Sequence, residues 1–192
     1  MGGTFDPIHY GHLFIAEEAR VCCGLEKVLF FPNNQPAHRE GKDAFAAAET
    51  RFELMQLGIE SNAHFEASRV EIDRPGPSYA IDTLRHFQAE YSDAELHFIV
   101  GADSIRDVLT WHRGAELFEL CRFVAASRPG FDLEAAKAKL SIGQLERTTF
   151  LNVPGLHVAS RDLRDRVRNE KPIRYLVPDA VCKRIEDLKL YR

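Results

Sequence analysis

The sequence predicts an α/β fold, a parallel sheet covered by helices, and three observations carry that expectation. Short apolar, β-rich runs of about five residues alternate with longer stretches of helical period. The chain has 192 residues, 45% of them hydrophobic, which is enough for one domain with a sizeable core. No repeat, low-complexity tract or linker divides it.

Taken in order, Gly2-Gly3 reads as the turn leaving a first strand, with only Met1 before it. A parallel sheet normally begins with a full strand there, so the first strand is expected to be a stub, or the sequence to start inside it. The expected consequence is some loss of stability rather than a changed fold. A helix follows over Gly11 to Cys23, then a strand over Lys27 to Phe31, a helix over Ala48 to Ser61 and a strand over Ala63 to Ala67. In the next helix, Ser78 to Tyr91, the residues Tyr79, Thr83, Leu84 and Phe87 recur at helical spacing and form a stripe to set against the sheet. Strands over Leu96 to Val100, Arg122 to Ala126 and Thr148 to Asn152 alternate with helices over Ser104 to Trp111 and Leu133 to Leu140. Helices over Ser160 to Asn169 and Asp179 to Leu188 complete a mostly helical part, from about Pro154 onward, expected to pack as a small subdomain. Pro32 to Phe45 and Asp73 to Pro77 are rich in polar and turn residues and read as loops, of a length that usually serves the rim of a site.

Charge and composition then narrow the function. Lys and Arg number 25 against 29 Asp and Glu, a net charge of -4, so no global basic field gathers nucleic acid or an anionic membrane. Any anion must be held by a local site. The longest apolar runs, such as Val28 to Pro32, fall far short of the roughly 20 residues that cross a bilayer. The first residues carry neither a basic region nor an apolar stretch with a cleavage site, so a cytoplasmic protein is expected. Cys22, Cys23, Cys121 and Cys182 form no C-x-x-C pair and read as reduced structural thiols.

The segment richest in chemistry is Gly2-Gly3-Thr4-Phe5-Asp6-Pro7-Ile8-His9-Tyr10-Gly11-His12, directly before an amphipathic helix. Glycines let a backbone approach phosphate, a helix start offers unpaired N–H groups, and two imidazoles add donors. His9 and His12, three apart, point toward one region if the helix begins near Tyr10. A lone Gly-Gly pair would read as a plain tight turn; the complete string is more specific. Zinc is disfavoured because no further ligand follows at the required spacing, and no protein metal ligand is assigned. A Walker loop is absent, since the sole Gly-Lys pair, Gly41-Lys42, is followed by Asp43. A second anion site is expected around Ser160, a hydroxyl at a helix start with Arg164 one turn in. The plainer alternative there is a capped surface helix with solvated arginines.

With those residues in view, Gly2 to His12 resembles the H-x-G-H signature of the nucleotidyltransferase superfamily. The whole chain is similar to the bacterial nicotinate mononucleotide adenylyltransferase family, through Pro36-Ala37-His38-Arg39, Ser78 to Leu84, Phe98 to Ser104, Trp111, Ser127-Arg128-Pro129-Gly130 and Tyr175-Leu176-Val177-Pro178. The resemblance implies a single nucleotidyltransferase domain over residues 1–192, Rossmann-like, with a doubly wound parallel sheet and helices on both faces. It also implies transfer of AMP from ATP, with Mg2+, to nicotinate mononucleotide, releasing pyrophosphate. By resemblance, His9, His12 and Arg164 are catalytic, and Gly2, Gly3, Thr4, Phe5, Gly101, Asp103 and Ser160 complete the ATP site. His38, Arg39, Ser78, Tyr79, Ala80, Trp111 and His112 are assigned to the acceptor, Trp111 stacking on the pyridine ring and the amides of Ala80 and His112 receiving the carboxylate. Asp103 has the further reading of a helix N-cap. Ala159 and Arg161 depart from the family's I-S-S-T-x-I-R pattern and Ala37 from its usual Pro. Other acceptors (nicotinamide mononucleotide, phosphopantetheine, a glycerol phosphate), a synthetase fragment and a non-catalytic nucleotide sensor are the competing readings, and self-association is left open.

Overall fold

The computed structural model describes residues 1–35, 44–127, 132–154, 156 and 158–192. Six strands, β1 (Gly2–Gly3), β2 (Val28–Pro32), β3 (Phe65–Ala67), β4 (His97–Gly101), β5 (Arg122–Ser127) and β6 (Thr148–Asn152), pair only in parallel among the described residues. They form two three-stranded sheets, ordered β1-β2-β3 and β4-β5-β6, and β1 lies beside β4 where the two meet. The chain winds outward from that join in both directions, which is the doubly wound α/β arrangement the sequence implied.

The alternation of strand side chains explains why both faces are covered. Phe30, Ile99, Val124 and Ala126 point into one core, whereas their neighbours Phe31, Phe98, Phe123 and Ala125 point into a second. The first core is closed by α1 (Tyr10–Cys22), α2 (Ala48–Ile59), α8 (Ser160–Arg168) and α9 (Asp179–Asp187), through Ala16, Ala19, Leu54, Met55, Leu163 and Val181. The C-terminal helical part thus packs on the same face and in the same core as α1 and α2, with Arg184 paired to Glu53 at 2.8 Å. The second core is closed by α3 (Ala80–Glu90), α4 (Ala102–Asp107), α5 (Gly114–Leu120) and α6 (Leu133–Lys137).

Two helices lie outside the elements expected from the sequence: α5, and the five-residue α7 (Ile142–Glu146). Helix α7 is held by a capping box in which Ser141 and Gln144 bond each other's backbone, a Ser-x-x-Gln signal visible in the sequence. The expected helix over Ser104 to Trp111 starts at Ala102 and tightens into a 3-10 turn at Val108–Thr110. Strand β1 spans two residues, and a cavity of about 380 Å3 lies between β2 and β4 beside Met1, lined in part by Leu29, Phe31 and Phe98. All four thiols are free; burial pushes that of Cys121 up to about 12, as befits a structural cysteine. No helix among the described residues is long and apolar enough to cross a membrane.

Candidate active site

Parallel strands all deliver their following loops to one edge of the sheet, so the segments after β1, β2, β4 and β6 share a rim. After β1 the chain turns sharply: Phe5 sits in the left-handed region at φ 48, and α1 begins at Tyr10 with His9 as its N-cap. His9 is buried and His12 half-buried, and their rings stack with centroids 3.7 Å apart and planes 19° from parallel. The two imidazoles do face one region. The His9 backbone N–H donates to His12 Nδ1 at 3.3 Å, which places a neutral His12 ring's own proton on Nε2.

The glycines serve this packing as much as any ligand. A Cβ on Gly2 would lie 2.5 Å from the Phe31 ring, one on Gly3 3.0 Å from the Phe5 ring, and one on Gly11 3.0 Å from the His9 ring. Each vacancy is filled by an aromatic ring of the protein itself. Phe5 then meets His12 edge-on at 5.1 Å, so the turn and the helix start are braced against one another.

The second predicted anion element comes to the same turn. The Ser160 hydroxyl donates to the Pro7 carbonyl at 2.9 Å, and Arg164 Nη1 donates to the Asp6 carbonyl at 2.6 Å. Ser160 is therefore not the cap of α8; Ala159 is, and the hydroxyl ties the helix to the turn instead. Arg161 is 80% exposed, with Asp162 at 3.7 Å as its ion-pair partner. Gly101, not Asp103, is the N-cap of α4; Asp103 lies in its first turn, with its carboxylate folded against Gly101.

On the acceptor side, Tyr79 caps α3 and Ala80 is its first residue, whose amide has no acceptor inside the helix by construction. Ser78 Oγ accepts from the Asn34 N–H at 3.1 Å, and Thr4 accepts from the Asn33 side chain at 3.3 Å, so contacts run continuously from the β1 turn to the start of α3. Trp111 follows the 3-10 turn, its ring edge-on to Phe98 at 6.4 Å, and the adjacent His112 ring lies 4.3 Å from that of Tyr79. His38 and Arg39 lie outside the described residues, as do Pro36, Ala37 and 128–130.

The Trp111 turn has a further requirement that the sequence did not announce. Arg113 is left-handed at φ 55, and a Cβ on Gly114 would fall inside contact distance of the Val108 carbonyl oxygen. Gly114→Ala is thus expected to destabilise the protein by about 2 kcal/mol or more and to displace the turn. Because Trp111 is the sole tryptophan, a thermal melt together with its emission maximum checks this directly. An unchanged melt and spectrum would show that the turn has room to spare.

Residues 1–177 match the cytidylyltransferase-like family model. Over the whole chain, the protein is 46% identical to a nicotinate-nucleotide adenylyltransferase of Moorella thermoacetica, covering 90% of that relative. It is 43% identical to one of Desulfitobacterium hafniense, covering 94% of it, and 42% identical to one of Mycobacterium avium, covering 91%. The chain belongs to the nicotinate-nucleotide adenylyltransferase family. Its fold matches that of the Plasmodium falciparum nicotinic acid mononucleotide adenylyltransferase complexed with NaAD, with a TM-score of 0.82 over 99% of this chain and 94% of that one at 19% identity.

Within this adenylyltransferase, three residues beside the site carry more of its architecture than the sequence indicated. Arg51, 1% exposed on α2, donates to the carbonyls of Thr4, Asn33 and Ala46 at 2.7, 2.6 and 3.1 Å. Asp6, also buried, accepts from the backbone of Phe45 and Ala46 and from the Tyr191 hydroxyl. Arg51 had a signal, a charge flanked by the buried Phe52, Leu54 and Met55 of α2. Tyr191 had none.

Proposed function

We propose that this protein transfers AMP from Mg-ATP to nicotinate mononucleotide, forming nicotinate adenine dinucleotide and pyrophosphate. One observation supports this reading above the others: Arg164 and Ser160 are fastened to the same turn that presents the stacked His9–His12 pair. Two elements distant in the chain, each proposed to bind phosphate, are thereby brought to one turn.

The chemistry asks little more of the protein. A phosphate oxygen of the acceptor, already ionised at neutral pH, attacks the α-phosphorus of ATP; the new P–O bond forms as the bond from that phosphorus to the bridging oxygen of the leaving pyrophosphate breaks. No general base is needed, so catalysis is alignment and stabilisation of charge. His12 would donate through Nε2 to the reacting phosphate, and Arg164 and Ser160 would serve the departing β- and γ-phosphates, Ser160 through α8's position. Gly2, Gly3, Thr4 and Phe5 would line the triphosphate with backbone, and Gly101 and Asp103 would meet the nucleoside.

The donor set around the turn is rich in N–H groups and poor in free carboxylate. Among the described residues no cluster of three metal-ligating side chains exists, and the oxygens of Asp6 are already engaged. This composition suits an Mg2+ that enters with ATP, held by phosphate oxygens and water. For the acceptor, the Trp111 indole beside the Tyr79–His112 pair offers an aromatic surface for a pyridine ring, and the amides of Ala80 and His112 suit a carboxylate. His38 and Arg39 are proposed for the acceptor's phosphate.

Incubation with Mg-ATP and each acceptor in turn, with pyrophosphate measured, tests the reading. Release with nicotinate mononucleotide well above nicotinamide mononucleotide is the expected result; nucleotide binding with no release under any acceptor would overturn it. In the same assay, Trp111→Ala is expected to raise KM for nicotinate mononucleotide about tenfold or more while that for ATP holds. Equal losses for both substrates would make the indole a structural group.

A further inference from the structure

Asp6 is a buried carboxylate, 2% exposed, at which distant parts of the chain converge. Its Oδ2 accepts from the Phe45 N–H at 2.7 Å, and its Oδ1 from the Ala46 N–H at 3.3 Å and from the Tyr191 hydroxyl at 2.7 Å, 185 residues away. Arg164 donates to the backbone carbonyl of Asp6 rather than to its carboxylate, whose Oδ2 stands 4.0 Å from Nη1. A buried carboxylate that close to a guanidinium ordinarily closes into a short, charge-assisted pair. Here the ion pair stays at 4.0 Å, and the hydrogen bonds to the carboxylate come from three neutral donors.

We propose that Tyr191 is a positioning residue for nucleotide binding: its hydroxyl holds the Asp6 carboxylate on neutral donors, so that Asp6 does not capture Arg164 and the guanidinium stays available to the phosphates of ATP. The inference rests on the reading of Arg164 as a phosphate ligand. Several features of the fold converge on this contact. Lys189 and Tyr191 both adopt left-handed backbone, at φ 51 and 65, a conformation that disfavours residues other than glycine and is kept only where surrounding contacts enforce it. The Tyr191 ring is buried in the first core, and burial with the neighbouring carboxylate pushes its hydroxyl well above the usual phenol range, so it remains a donor at working pH. Arg164 is steadied from its other side by the Phe45 ring at 4.4 Å, and the backbone of Phe45 is itself held by Asp6. The second charge facing Asp6 is Arg51, whose N–H groups are committed to carbonyls and to the Asn33 side chain.

Tyr191→Phe removes one oxygen and keeps the ring. Its dissociation constant for α,β-methylene ATP, and its KM for ATP, are expected to rise about three- to tenfold, with KM for nicotinate mononucleotide within about twofold of the parent. In an Asp6→Asn background, Tyr191→Phe should have no further effect on the ATP analogue, because no charge is left to draw Arg164 away. A lower melting temperature with unchanged ATP-analogue affinity would overturn the inference, reducing Tyr191 to a structural tie. If Asp6→Asn does not fold, the selective loss in the single variant decides alone. Failure of the underlying reading is distinguishable: Arg164→Ala would then leave ATP-analogue binding intact.

Discussion

His12→Ala is expected to lower kcat by about two orders of magnitude or more while leaving the fold in place. The size follows from the role proposed for the ring: with Nδ1 accepting the His9 N–H, the proton of a neutral ring sits on Nε2, the donor proposed for the reacting phosphate, at the turn to which Arg164 is also bonded. Removing a donor aimed at developing charge costs about 10²–10³ in turnover in comparable sites. The structural cost is smaller. His12 is half-buried, and its loss removes the acceptor for one N-terminal amide of α1, a cap-type contact worth on the order of 1 kcal/mol. Steady-state kinetics beside a thermal melt check both halves. A loss below about fivefold would demote His12 to ground-state binding, and a collapse of the melt would make the stacked pair a folding element.

Where sequence reasoning succeeded, the cause of the structure was local. Strand β2 shows it well: an unbroken apolar run is required because Phe30 and Phe31 fill opposite cores, and the run is visible without knowing either partner. The spacing of His9 and His12 was legible for the same reason, since three residues at a helix start determine that the rings meet. Gly11 was legible as a glycine, but not the demand that the volume of the His9 ring places on it. Ser160 looked like a helix cap because a hydroxyl at a helix start usually is one; it is instead the first residue inside α8, and its hydroxyl donates to the Pro7 carbonyl, 153 residues away. Helices α5 and α7 escaped because elements of seven and five residues carry too little periodicity to register. The bond from Tyr191 to Asp6 joins positions whose neighbours in sequence give no sign of one another, and only the packing of α8 and α9 against α1 and α2 brings them together.

Arg51→Met should be the most destabilising single substitution at the site, by about 3–5 kcal/mol, which for a chain of this length lowers Tm by on the order of 10 °C. Methionine fills much of the volume, so the loss is not one of packing. It comes from three carbonyls, those of Thr4, Asn33 and Ala46, left without the buried guanidinium that serves them, and from Asp6 losing a buried counter-charge. Arg51→Lys separates those causes: an ammonium restores the charge but cannot span carbonyls that a planar fork reaches at 2.7, 2.6 and 3.1 Å, so it should recover only part of the stability. The same bonds fix Thr4 at the end of β1 and Asn33 at the end of β2, the two strand ends between which the triphosphate and the acceptor are proposed to meet. Activity in Arg51→Lys is therefore expected to fall further than its stability, with KM for both substrates rising together, in contrast to the one-sided effects expected at Trp111 and Tyr191. Thermal melts and steady-state kinetics of the two variants measure this. A methionine variant melting within about 2 °C of the parent would mean that the carbonyls find other donors and that the fork is dispensable.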